Sequence, residues 1–159
     1  MASFSDLEQQ EPDFAARVQA AFNAHAHKIL ATLRKDGAPR VSGIETRFTD
    51  GELWLAGMTS SVKFVDLRRD PRMALHSGRH DPDTFTADAK VSGRAVEVTD
   101  PAELAAFAGQ AEVPEEAQPF ELFRIDLEQV VLTALSEAKD ALVITSWRPG
   151  RGLSETRRT

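Results

Sequence analysis

The run Met58-Thr-Ser-Ser-Val-Lys63 follows a strand-like segment and precedes one with helical spacing. A helix N-terminus there would offer free backbone N–H groups. The hydroxyls of Ser60 and Ser61 and the ammonium of Lys63 would complete a receptacle for a phosphate. Arg40, at the start of a neighbouring strand-like run, can add a guanidinium fork to the same anion. The same residues also have an ordinary reading, in which Ser60 or Ser61 caps a helix and Lys63 is solvated. Trp147 and Arg148 end the last apolar run. This pair suits stacking on and hydrogen bonding to a planar ring system, and equally suits a Trp that plugs the mouth of a barrel.

The four histidines make a weaker case. His25 and His27 are two residues apart and share no helical face, so they form a poor metal pair. His76 and His80 are interrupted by Gly78 and lack a third ligand nearby, which leaves them as candidate substrate contacts rather than a zinc site. Gly-x-Ser-x-Gly, the P-loop and Gly-x-Gly-x-x-Gly are all absent, and with them the usual sequence support for hydrolase, NTPase and Rossmann chemistry. A borrowed cofactor is then the natural source of demanding chemistry.

The elements that must position these residues can be read along the chain. Phe14, Val18 and Phe22 recur every four residues between Glu11 and Ala24, a helical face with Pro12 in its first turn. The runs 28–34, 40–48 and 52–56 are strand-like and are separated by Asp36-Gly37 and Asp50-Gly51, which predicts an antiparallel meander. Between Ser61 and Pro71 the period changes to that of a short helix. Strands follow at 72–76 and 88–98, and Asp100-Pro-Ala-Glu103 has the form of a helix start leading into 104–109. The segments 120–126, 129–135 and 141–147 supply three more strands. The polar tail 151–159 is expected to be loose, and residues 1–27 to form an N-terminal helical segment of a single domain spanning 1–159. Six to eight short antiparallel strands joined by tight turns predict a mainly β fold with short helices, closed into a barrel that leaves few exposed edges.

Composition narrows the classes. The 159 residues are 42% hydrophobic and 28% charged, as in one soluble domain. At that length roughly 70% of the unfolded chain's surface can be buried, so the absence of cysteine leaves no structural deficit. It also removes thiolate chemistry and Cys-ligated metals. A net charge of -6 argues against general nucleic-acid binding. No apolar run approaches the roughly 20 residues of a membrane span and no signal-peptide layout opens the chain, so a cytoplasmic protein without membrane contact is expected. Basic residues cluster between Arg34 and Arg72, whereas acids dominate 81–128.

Across Lys28 to Leu75 the sequence resembles the pyridoxamine 5'-phosphate oxidase-like, FMN-binding split-barrel superfamily. The resemblance rests on Ile29-Leu-Ala-Thr-Leu-Arg-Lys-Asp-Gly-Ala-Pro-Arg-Val41, on Asp50-Gly-Glu-Leu-Trp54, and above all on Ser61-Val-Lys-Phe-Val-Asp-Leu-Arg-Arg-Asp-Pro-Arg-Met-Ala-Leu75. The last stretch is similar to that family's Ser-x-Lys, helix, Asp-Pro-Arg, strand signature. The resemblance covers about three-quarters of the chain and implies that Arg40, Ser61 and Lys63, with Ser60 beside them, hold the phosphate of FMN or, alternatively, of the deazaflavin coenzyme F-420, Ser60 being added by the reading of the turn itself. It implies a homodimer with cofactor sites at the subunit interface, where Trp147 and Arg148 would complete the partner's pocket. Met58 and Thr59 stand where pyridoxamine-phosphate oxidases have an aromatic residue and Asn, and the Arg-rich C-terminal motif of those enzymes is not recognisable, which argues against pyridoxamine phosphate as substrate.

The implied activity is that of a flavin- or deazaflavin-dependent oxidoreductase passing a hydride between cofactor and a small organic molecule. A flavin- or haem-binding carrier or sensor without turnover is the alternative within the same dimeric barrel. A cofactor-free dimer, with Lys63 and Arg40 as surface charges, is a third reading.

Overall fold

The structure, a computed structural model, describes residues 1–78 and 81–159. Two helices open the chain, α1 (Phe4–Gln10) and α2 (Pro12–Asn23), followed by strands β1 (Lys28–Leu33), β2 (Pro39–Thr49) and β3 (Glu52–Met58). Helix α3 (Val62–Arg69) leads to β4 (Arg72–His76) and β5 (Ala87–Val98), then α4 (Pro101–Gln110), β6 (Phe120–Leu135), β7 (Leu142–Arg148) and β8 (Gly152–Arg158).

All strand pairs are antiparallel, in the order β3-β2-β1-β4-β5-β6-β7-β8, and β3 also pairs with β6. That extra pairing closes six strands into a barrel, with β7 and β8 extending from β6. Alternation decides which residues fill the interior. Leu30, Leu53, Leu55, Leu75, Val91, Phe123 and Ile125 point inward and are buried. Helix α2 adds Phe14, Ala15, Val18 and Phe22 to the same core. Helix α3 sets Phe64 into it, stacked on Phe123 at 5.0 Å between ring centroids.

Two sequence expectations need correction and a third, the N-terminal helical segment, gains detail. The N-terminal segment is two helices, because Ser3 and Asp6 form a capping box that starts α1 before Pro12 starts α2. Ser3 Oγ accepts from the Asp6 N–H at 3.1 Å and Asp6 Oδ2 accepts from the Ser3 N–H at 2.8 Å.

Segments 120–126 and 129–135 are one strand, β6. Its inward residues are Phe123, Ile125 and Leu127, then Val130, Leu132 and Ala134. The phase slips by one residue where Ser92 faces Gln129 but Gly93 faces Leu127. Glu128 is thus the extra residue of a β-bulge, which bends the strand without ending it. Gly93 opposite admits this approach, since a Cβ there would lie 2.1 Å from the Asp126 carbonyl oxygen.

The tail 151–159 is ordered as β8, paired with β7 from Arg148↔Gly152 to Leu142↔Arg158. Its polar sequence reflects an edge strand that contributes backbone pairing and keeps charge on the rim.

Candidate functional site

Helix α3 joins the end of β3 to the start of β4 and sets Phe64 and Leu67 into the core. Its entry is the turn Thr59-Ser60-Ser61. Ser60 has φ 63, a left-handed conformation that costs a non-glycine residue about 1 kcal/mol. Ser61 occupies the N-cap position but makes no side-chain cap; its hydroxyl donates to the Met58 carbonyl at 2.8 Å. The Ser61 carbonyl accepts from the Phe64 and Val65 amides. The first two amides of α3, those of Val62 and Lys63, have no acceptor among the described residues. Two N–H groups at the positive end of a helix are therefore open.

Much of the basic cluster is internally neutralised. Arg68 pairs with Glu97 and Glu121, Arg72 with Asp70, and both Arg40 and Arg69 with Asp66. Lys63 has no carboxylate partner among the described residues; its Nζ lies 5.5 Å from the centroid of the Phe64 ring. Asp66 is buried and accepts from Thr32, Arg40 and Arg69. Desolvation pushes its carboxyl upward, but the hydrogen bonds from Arg69, Arg40 and Thr32 outweigh that and hold it below the usual carboxylate range.

A cleft of about 850 Å³ begins at Lys63. Its floor is the outer face of β2 and β3, through Gly43, Glu45, Arg47, Ala56 and Met58. The opposite wall is the α4–β6 connection, including Phe107, Val113, Pro114 and Phe120. This wall is braced by a second apolar cluster of Val98, Phe107 and Leu122 with Trp54, Leu104 and Phe120. Trp54 and Ala56 alternate with the inward Leu53 and Leu55, so α4 packs on the outside of the barrel. The cleft has the size and the largely apolar walls of a small-molecule site.

Of the residues singled out in the sequence, Lys63 lines this cleft, and Ser60 and Ser61 form the turn beside it. Arg40 lies off the cleft, its Nε 2.6 Å from Asp66 Oδ2. Trp147 is fully buried in the main core and presents no ring face to a ligand, so the plugging reading of this residue is the one the structure supports. Arg148 is exposed and donates to Gln129 Oε1 at 2.8 Å. His76 lies outside the cleft on β4, where its Nδ1 accepts from the Gly78 N–H at 3.0 Å; His80 lies outside the described residues. The sequence reading missed the cleft wall from Ala111 to Phe120 and the cleft residues His27, Glu45 and Arg47. Outward alternation along β2 was the available signal for Glu45 and Arg47; nothing local marked the wall.

Among the described residues, no group of three or more His, Asp or Glu could hold a metal ion, and no helix is long and apolar enough to cross a membrane.

Comparison with known proteins bears on the fold and the family. No curated protein sequence matches the chain. Among solved structures, PhzG from Burkholderia lata in complex with tetrahydrophenazine-1-carboxylic acid superposes with a TM-score of 0.65 at 16% identity, covering 100% of this chain and 97% of that one. A pyridoxamine 5'-phosphate oxidase-related, FMN-binding protein from Nostoc punctiforme gives 0.64 at 16% identity, covering 92% and 96%. Rv2991 from Mycobacterium tuberculosis gives 0.57 at 25% identity, covering 72% and 81%. The family model described as pyridoxamine 5'-phosphate oxidase matches residues 14–134, and with the closed six-stranded barrel this shows that the chain belongs to the pyridoxamine 5'-phosphate oxidase-like family.

Proposed function

We propose that this protein binds FMN and uses it as an oxidoreductase toward a small organic molecule. The observation that carries the reading is the cleft that starts at Lys63 and the open N-terminus of α3 and continues along the outer face of β2 and β3. The donor set suits a terminal phosphate: an ammonium, two open backbone amides and the hydroxyl of Ser60 fall within the four consecutive residues Ser60 to Lys63. The floor suits a flat ring. A Cβ built on Gly43 meets nothing within 4 Å, so the glycine leaves open the space that a ring laid on the strand would occupy.

Bound there, FMN would supply hydride transfer. The chain's own residues hold and shield: Lys63 and the Val62 and Lys63 amides fix the phosphate end, while Phe107, Val113 and Phe120 exclude water from the ring end. The fold shared with the FMN-binding Nostoc protein favours FMN over coenzyme F-420.

The reading includes a homodimer. Cross-strand neighbours Val41, Ala31 and Ala74 continue outward-facing rows with Ile29 and Gly43. Val41 is 70% exposed and Ile29 44%. On the same side of the sheet, Gln129 holds both Ser146 and Arg148. A second copy docked on this face would bring the partner subunit's Arg148 toward the cofactor site; Trp147, being buried, has no part in it.

The test is an equilibrium titration of apo-protein with FMN and, separately, with F-420, followed by the fluorescence of Trp54 beside the cleft wall. Micromolar or tighter binding of FMN is the expected result. Binding of F-420 alone would make the protein a deazaflavin enzyme, and binding of neither would remove the reading.

A further inference from the structure

We infer that the substrate taken at the ring end of the cleft is an apolar or aromatic organic cation, an amine or a quaternary nitrogen, and that Glu112 and Glu116 on the α4–β6 wall select its charge. The inference rests on the cleft reading above and adds the substrate class, which that reading left at a small organic molecule.

The cleft has room for two occupants: its volume of about 850 Å³ lies near the top of the roughly 300–1,000 Å³ range of small-molecule pockets. Beyond Lys63, the charged side chains that line it are Glu45 and Arg47 on the floor, Glu112 and Glu116 on the opposite wall, and His27. Glu45 and Arg47 are alternate residues on the outer face of β2, about 7 Å apart along the strand, and offset each other. Glu112 and Glu116 form no ion pair among the described residues. Lys28, near the same end of β2, is 4% exposed and its ammonium is engaged by the His25 and Ala26 carbonyls, so it adds no donor to the cleft. His27 adds positive charge only when protonated. The wall therefore carries two uncompensated carboxylates.

A phosphomonoester at the Lys63 end brings up to about two more negative charges against one ammonium. The loaded cleft is then more negative than the empty one, and like charge works against an anionic second ligand. The same wall supplies an independent bias of the same sign. Phe107 and Phe120 line it with their ring centroids 5.8 Å apart. Aromatic faces carry the negative part of the ring quadrupole, which attracts a cation and repels an anion. The excess of acids in 81–128, which the phosphate end leaves unused, thereby acquires a role in the cleft.

The test uses three probes that share one naphthylmethyl group and end in a trimethylammonium, a hydroxyl or a sulfonate. Their dissociation constants are measured by equilibrium dialysis with apo-protein and with FMN-loaded protein, at about pH 8, above the ordinary imidazole range. The ammonium should bind the loaded protein about tenfold more tightly than the sulfonate, with the alcohol between them, a modest ratio because exposed charge contacts are individually weak. Added salt should shrink it. Both acids are exposed, so the double variant Glu112→Gln, Glu116→Gln should fold as wild type does. In it the ratio should fall to about twofold or less, with the affinity of the alcohol unchanged. Equal binding of the two ions, tighter binding of the sulfonate, or no binding of any probe at millimolar concentration overturns the inference, as does a ratio that survives in the double variant. Direct titration with FMN scores the cofactor reading separately. If FMN does not bind, but the apo-protein prefers the ammonium and the double variant does not, the cofactor reading falls and the cation-selective wall stands.

Discussion

In the proposed site, Lys63 carries the most weight. It is half-buried, lacks a carboxylate partner among the described residues and stands where the cleft meets the open amides of α3. Replacing it with Ala should weaken FMN binding by about 1.5–3 kcal/mol, the worth of a charge-assisted hydrogen bond, and should leave riboflavin binding nearly unchanged. Calorimetric titration of both ligands reads this directly; equal FMN affinities for Lys63→Ala and wild type would take Lys63 out of the site. The sequence exposed this residue because a Ser-rich turn between a strand and a helix is a local pattern. It could not show that Arg40, Arg68, Arg69 and Arg72 are already paired, since their partners Asp66, Glu97, Glu121 and Asp70 are assigned by the fold as a whole. Trp147 illustrates the same limit. A Trp at a strand end suits a ring stack or a core plug, and only the assembled core decides that its face is buried.

At the scale of elements, the sequence is most legible where the signal is local. The hairpins at Asp36-Gly37 and Asp50-Gly51, the Ser61-to-Pro71 helix and the Asp100-Pro101 helix start all form as their residues dictate. At the last of these, Asp100 Oδ1 accepts from the Ala102 N–H at 3.4 Å. It is least legible in β6, where an inserted Glu128 reverses the inward phase and imitates a strand break. Gly93 was the available clue, since a glycine inside a well-patterned strand marks a bulge or a close backbone approach. Gly93→Ala should therefore force β5 and β6 apart, costing about 1–3 kcal/mol by overpacking. Urea unfolding measures the loss, and a midpoint equal to that of wild type would contradict the placement of the bulge. Strand β8 was illegible for another reason: an exposed edge strand needs backbone pairing but little apolar pattern, so its sequence reads as a tail.

At the scale of the whole molecule, the outer face of β2, β1 and β4 is the surface that the barrel does not cover. Small side chains at Ala31, Ala74 and Gly43 keep it flat, and Val41 and Ile29 make it apolar. Few natural surfaces leave such a flat apolar row unpartnered. Because the Val41 side chain points away from the barrel interior, Val41→Lys should spare the monomer's core while placing a charge, desolvated and without a counter-ion, in the proposed two-fold contact. Sedimentation of wild type at micromolar concentration should give twice the monomer mass of 17.5 kDa, and the variant should move toward monomer with its thermal midpoint nearly unchanged. FMN affinity should fall together with dimerisation if the partner subunit's Arg148 completes the site. A monomeric wild type would remove the shared pocket, and a monomeric variant that keeps full FMN affinity would confine the site to the Lys63 cleft of one chain.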